Sequence, residues 1–361
     1  EHQKDPAGGG AAVKKYWSRR IRDMIPYVPG EQPKDRVFIK LNTNENPYPP
    51  SPKALEALRE AADDRLRLYP DPECAALRAA IAAAHGLSPE HVFAGNGSDE
   101  VLAFCFQAFF DPDRPVCFAD ITYTFYAVYA EYFGLTPRLI PLGEDFSLPV
   151  TAFCAGDSGG VGVANPNAPT GLEVPRADLI RILESNPQAV VLVDEAYIDF
   201  GGTSADNLVD QYDNLVVVRT LSKGHGLAGM RVGYALGHPD LMAALQCVRD
   251  SINSYTVDRA AQAAAAASIA DTAYFEAQAA KVSATRDRAA AQLRELGFDV
   301  TDSKANFLFV HHPKVAAKTL LDGLRQRGIL VRWFDRPRIS DHLRISVGTD
   351  AEMDALYDAL K

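Results

Sequence analysis

Between Val92 and Leu236 short apolar runs recur with helix-length stretches between them, and this alternation limits the fold of the 361-residue chain more than any other feature. Strands are expected at Val92–Ala94, Val116–Ala119, Leu139–Pro141, Val161–Ala164, Ala189–Val193, Leu215–Val218 and Val232–Leu236. Helices are expected from Asp99, near Tyr126 and from Arg176. Strands and helices taken in turn make an α/β fold, a mostly parallel sheet covered by helices on both faces. Sheets of this kind bind ligands beyond the carboxyl ends of their strands, so the chemistry of the chain is expected there.

The flanking segments read differently. An Ala-rich stretch, Arg259–Leu296, reads as one long helix leading out of the sheet domain. After it come a strand at Phe307–Val310, a helix at Lys314–Arg327, strands at Ile329 and Leu343 and a last helix from Asp350, the elements of a smaller α+β domain. Upstream, residues 1–10 are polar and Gly-rich and read as a mobile leader, and the basic amphipathic run Ala11–Arg22 reads as a short arm helix for a domain or dimer contact. A strand ends at Leu41, an Asn- and Pro-rich loop follows, and Lys53–Ala62 and Glu73–His85 read as helices. The division expected is an arm over 1–40, a large domain over 41–258 and a small one over 259–361. A hydrophobic content of 47% suffices for two cores.

A formal charge of −10 argues against a nucleic-acid partner. Anionic ligands must then be met by a few local arginines. The five cysteines, Cys74, Cys105, Cys117, Cys154 and Cys247, have no C-x-x-C spacing and sit mostly among apolar residues, so buried free thiols are expected, and no metal. A reducing cytoplasm is the expected compartment. No apolar run reaches the roughly 20 residues of a membrane span.

Within that frame, T-L-S-K-G-H-G-L-A-G-M-R puts Lys223 on a Gly-punctuated turn at the end of the strand from Leu215. A lysine shielded from water there keeps its lone pair and can form a Schiff base with a carbonyl compound; by itself it also reads as a loop lysine. Asp194 sits where the run Ala189–Val193 surfaces, at the same sheet edge, with Tyr197 three residues on. Singly, these read equally as a helix cap and a packed aromatic. Together, a lysine for an aldehyde and a carboxylate for a pyridine nitrogen are what pyridoxal phosphate requires.

In order along the chain stand L-N-T-N-E-N-P, L-Y-P-D-P, G-N-G-S-D-E, N-P-N-A-P-T-G, V-D-E-A-Y, the lysine stretch and L-R-I-S-V-G-T. With these motifs the chain, from about Tyr27 to its end, resembles the fold-type I pyridoxal-phosphate aminotransferases, and among them the histidinol-phosphate branch. The resemblance implies a fold-type I transferase that exchanges an amino group between a small-molecule amino donor and a 2-oxo acid, as a homodimer, through Lys223. It implies that Gly97, Ser98, Asp99, Ser222 and Arg231 hold the cofactor phosphate, that Tyr123 stacks on its ring, and that Asp194 and Tyr197 bind its nitrogen and hydroxyl. Ala168 stands where the family commonly has Asn, so Asn167 is expected to reach the hydroxyl instead. Tyr69 is expected to cross to the neighbour's cofactor phosphate. Tyr27, Asn44, Arg332 and Arg344 are expected to bind substrate; Arg344, on an apolar strand, needs an anionic partner. An aromatic amino-acid aminotransferase and a threonine-phosphate decarboxylase-like enzyme are the alternatives on the same scaffold, and a cofactor-binding regulatory protein is the alternative outside it.

Overall fold

The apolar runs pair into two sheets. The computed structural model describes residues 14–34 and 36–361; the expected leader and the start of the arm, 11–13, lie outside the described residues. In chain order the strands are β1 (Ile39–Leu41), β2 (Val92–Gly95), β3 (Val116–Ala119), β4 (Pro137–Ile140), β5 (Gly160–Ala164), β6 (Val190–Asp194), β7 (Leu215–Thr220), β8 (Gly233–Gly237), β9 (Asp299–Val300), β10 (Phe307–His311), β11 (Ile329–Trp333) and β12 (His342–Ser346). The larger sheet runs β2-β8-β7-β6-β5-β3-β4 and the smaller β1-β11-β12-β10-β9. In the larger sheet β8 is antiparallel to both β2 and β7, while β7, β6, β5, β3 and β4 are parallel.

Each central strand is apolar on both faces because helices cover both. Val191, Val193 and Val217 pack into one core cluster and Leu192, Val216 and Val218 into the other. The smaller sheet is two-sided in another way: Leu343 and Ile345 of β12 and Val331 of β11 pack into a third core with Leu293 and Leu356, so alternation turns Arg344, Ser346 and Arg332 to the opposite face. That face closes over the carboxyl ends of the larger sheet.

Two helices differ from expectation. The Ala-rich segment is two helices, Arg259–Ala270 and Thr272–Glu295, because Asp271 leaves helical geometry (ψ 57°). Its carboxylate accepts from Ser51 Oγ at 2.5 Å and Lys53 Nζ at 2.7 Å, a tertiary tie that no local propensity encodes. Within the described part of the arm there are a 3-10 turn at Lys14–Tyr16 and a four-residue helix at Arg19–Arg22, the latter with no buried residue. A segment this short, without an apolar face to bury, has little to sustain a longer helix. Cys74, Cys105 and Cys117 are buried as expected, whereas Cys247 is exposed.

Candidate active site

Register brings Ala164, Asp194, Val218 and, through Thr220 and Gly233, Gly95 to one edge of the larger sheet. Outside this edge lies a cavity of about 1070 Å³, roofed by the second sheet and lined by Asp194, Tyr197, Lys223, Arg332 and Arg344 among others. Leu192 and Asp194 share one face of β6, the face that packs against Tyr126. The Tyr126 phenol donates to Asp194 Oδ2 at 2.7 Å, and the Ala196 N–H to Oδ1 at 3.1 Å. Burial pushes the Asp194 carboxyl up to about 6, against the pull of these two bonds.

Lys223 follows β7 on a turn held by Asn46, whose Nδ2 donates to the carbonyls of Lys223 and Gly224 at 2.9 and 3.1 Å. Its Nζ makes one long contact, 3.4 Å to Thr43 O, and sits 5.6 Å from the Tyr197 ring centre. Burial, reinforced by the charge of Arg344, lowers the ammonium from 10.5 to about 8. At pH 7 roughly a tenth of the amine is then free, far more than for an ordinary lysine. His225, to which the sequence assigned no role, stacks on Phe275 at 4.2 Å, bonds Ser268 Oγ at 2.9 Å and is held at about 4 by burial, so it packs the turn from behind as a neutral ring.

The helix Gly97–Phe109 begins at the cavity wall with no side-chain cap on Asn96, leaving its first N–H groups for a ligand. Gly97 has φ +79°, and a Cβ there would lie 2.7 Å from Arg231 Nη2. A Cβ on Gly233 would meet Ser98 N and lie 2.6 Å from Gly97 C. Both glycines therefore permit the helix start, β8 and Arg231 to converge. Arg231 Nη1 lies 3.4 Å from Ser222 Oγ and Nη2 3.1 Å from Asp99 Oδ2, whose other oxygen accepts from Tyr123 OH at 2.8 Å. Helix amides, a hydroxyl and a guanidinium around one corner suit a phosphate. With Lys223 and Asp194 lining the same cavity, the residues fit pyridoxal phosphate.

Across the cavity, Arg332 of β11 is in direct register with Arg344 of β12. Like charges directly opposite repel, and among the described residues neither guanidinium meets a carboxylate. Arg344 Nη2 donates to Asn42 O at 2.9 Å, its Nε is buried without a partner, and its guanidinium lies 5.5 Å from the rings of Phe307 and Phe334. Arg332 has a 3.4 Å bond to Val28 O. Tyr27, stacked on Phe125 at 4.3 Å, faces the pair, and burial keeps its phenol protonated despite them. An anion between these three groups would relieve the repulsion.

Three expected residues lie off the cavity or meet it only through backbone. Asn167 accepts from Thr122 Oγ1 at 2.8 Å and donates to Ile121 O and Thr170 Oγ1 at 3.0 and 3.1 Å, so its amide is fully engaged in the loop and does not line the cavity. Gly97 contributes backbone alone. Tyr69 is 78% exposed, stacked on Tyr255 at 4.5 Å and outside the cavity of its own chain. Asn44, expected on substrate, lines the cavity but gives its amide to Tyr197 and Ser346. Sequence reading missed Tyr126, one of fourteen tyrosines in a run that reads as core, and Asn46 in an Asn-rich loop.

The family model for class I and II aminotransferases matches residues 36–360. A histidinol-phosphate aminotransferase of Clostridium acetobutylicum is 52% identical over 349 residues, 97% of this chain and 99% of the relative. One of Thiobacillus denitrificans is 54% identical over 351 residues, 97% and 98% of the two chains. The structure of the histidinol-phosphate aminotransferase from Sinorhizobium meliloti in complex with pyridoxal-5'-phosphate superposes with a TM-score of 0.81 at 29% identity, covering 90% of each chain. By fold, by sequence along nearly its whole length and by the residues gathered at the sheet edge, the chain belongs to the class I and II aminotransferases.

Proposed function

We propose that the chain transfers the amino group of histidinol phosphate to 2-oxoglutarate with pyridoxal phosphate as cofactor, giving imidazole-acetol phosphate and glutamate, a step of histidine biosynthesis. The observation that carries the substrate is the Arg332–Arg344 pair, two guanidiniums in register without a carboxylate among the described residues. Both substrates are anionic, and the relatives about half identical to this chain bear the same activity in their names.

Bound pyridoxal phosphate supplies an electron sink that weakens the bonds to the substrate's α-carbon. Asp194, ionised above about pH 6, holds the proton on the ring nitrogen. Lys223 would hold the cofactor covalently and, once a donor amine replaced it, would carry a proton to and from the α-carbon as a general base, its burial favouring the neutral amine. Ser98, Ser222 and Arg231, with the backbone N–H of Asp99, would bind the cofactor phosphate, while Tyr123 would cover the ring and Tyr197 meet its oxygen. Arg332, Arg344 and Tyr27 orient the anionic end of each substrate, and the second sheet excludes water. The assembly is a homodimer in the cytoplasm, in which Tyr69 completes the neighbouring site; its exposure on its own chain and the five free cysteines support this.

The aromatic wall of Tyr27, Tyr123, Trp333 and Phe334 favours an aromatic amino acid as the second reading. The deciding measurement is kcat/KM for histidinol phosphate, histidinol and phenylalanine in wild type and Arg332→Ala. A charge-assisted bond of about 1.5–3 kcal/mol predicts a loss of roughly 10- to 150-fold for the phosphate ester in the variant and little change for phenylalanine. Wild-type preference for phenylalanine, or an unchanged ratio in the variant, would overturn the phosphate assignment.

A further inference from the structure

Asn44 is 1% exposed, in the left-handed region at φ 55°, and is gripped by the second sheet. Its N–H donates to Ser346 Oγ at 2.8 Å, Ser346 Oγ donates to Asn44 Oδ1 at 2.8 Å, and Asn306 Nδ2 donates to Asn44 O at 3.0 Å. The directions of these bonds are forced. A backbone N–H can only donate, so the Ser346 oxygen is an acceptor for it. The Ser346 hydrogen, in a residue 2% exposed, then needs its own acceptor, and Asn44 Oδ1 is the one in reach. With Oδ1 turned to Ser346, Nδ2 must face Tyr197, and it donates to the phenol oxygen at 3.1 Å. An amide nitrogen accepts nothing. The Tyr197 hydrogen is thereby excluded from Asn44, and among the described residues no other acceptor takes it; the side that remains is the cavity that Tyr197 lines.

We infer that Ser346 and Asn44 form a one-way hydrogen-bond relay from β12 that fixes Tyr197 as a donor into the cavity, which makes both of them positioning residues for the transfer reaction. This rests on the proposed reading that the cofactor lies there, with an oxygen to receive the bond. Burial raises Tyr197's pKa, so its hydrogen is retained for donation at working pH. The relay starts on the strand that carries Arg344, two residues away and on the same face, so seating of the second sheet over the cavity sets both the anion site and the polarity of Tyr197.

The test begins without cofactor. In apoprotein labelled with 13C at tyrosine Cζ, the Tyr197 resonance is assigned by its loss in Tyr197→Phe. Ser346→Ala removes the lock and frees the amide to turn, so the resonance is expected to move downfield, the direction of phenolate, although no group touching Tyr197 has been altered. Ser346→Thr, which keeps the hydroxyl, should restore it. Asn44→Asp suits the same backbone conformation, accepts where Asn donated, and should move the resonance further downfield. Loaded with pyridoxal phosphate, Ser346→Ala should bind it about tenfold more weakly, the value of one hydrogen bond, and should have no further effect in a Tyr197→Phe background. An unmoved Tyr197 resonance in both Ser346→Ala and Asn44→Asp, or additive losses in the double variant, would overturn the relay. Failure of wild-type apoprotein to take up pyridoxal phosphate would instead sink the proposed function, while the apoprotein spectra would still judge the relay.

Discussion

Asp194 is an anion that its surroundings disfavour. Its folded pKa, about 6, lies above the ordinary 3.8, so the folded chain binds more protons than the unfolded one between those values. Stability from this group is therefore highest below the lower value, falls as pH rises through the window, and is lowest above about 6. Tyr126 limits the loss, since its phenol donates to the charged form. Removing that donor while keeping the ring isolates the effect: Tyr126→Phe should destabilise the apoprotein by about 1–2 kcal/mol more at pH 8 than at pH 5, where the carboxyl is protonated in both chains. Urea unfolding at the two values measures the difference. An equal destabilisation at both would reduce Tyr126 to packing. Lys223 and Asp194 were legible in the sequence because each terminates an apolar run, where strand geometry dictates what surfaces. Tyr126 was not, because its importance depends on a partner 68 positions away. The engagement of Asn167 was hidden for a related reason: Thr122 and Ile121, far off in sequence, bond the amide that the motif offers to a ligand.

At the scale of elements, the positions of the larger sheet's strands were readable because strands buried on both faces read as short continuous apolar runs. The interruption at Asp271 was not, since an Ala-rich sequence favours continuing the helix and the break is fixed by Ser51 and Lys53 on another element. The antiparallel β8 is likewise invisible in composition, yet it determines the phosphate corner, because its first residue, Gly233, touches the start of the helix Gly97–Phe109. Gly233→Ala has no room: Ser98 N and Gly97 C would have to retreat from the new methyl group. The expected result is a destabilisation of about 1–3 kcal/mol together with weakened uptake of pyridoxal phosphate, read by thermal unfolding and by cofactor titration. Gly162→Ala is the control. It lies in β5 of the same sheet, and the nearest atom to its added Cβ is 3.7 Å away, an ordinary contact. It should stay within about 1 kcal/mol of wild type, since filling available space and restricting the unfolded chain both oppose any loss. Equal effects of the two variants would show that the corner tolerates displacement.

For the whole molecule, exposed apolar side chains gather around Tyr69. Tyr69 is 78% exposed and stacks on Tyr255, itself 41% exposed, while Leu66, Leu68 and Ile252 nearby in sequence are 59%, 48% and 61% exposed. Large apolar side chains left in water at this density mark an interaction surface, and on the proposed reading a second copy covers it, using Tyr69 chemically as well as sterically. In a two-fold dimer each subunit presents the same surface to the other, so Lys223 of one subunit and the partner subunit's Tyr69 would serve one cofactor. Two inactive variants then complement each other: Lys223→Ala retains a good Tyr69 to lend, and Tyr69→Ala retains a good Lys223. After random exchange at equal concentration, half of the dimers are mixed and one of their two sites is intact, so activity should return to about a quarter of wild type. The Tyr69→Ala parent must be shown to bind cofactor weakly on its own, by titration, so that recovery reports the lent phenol. Exchange itself is followed by mass labelling of one variant. Recovery to that level places Tyr69 in the neighbouring site; mixed dimers that form and stay inactive would show that each chain builds its site alone.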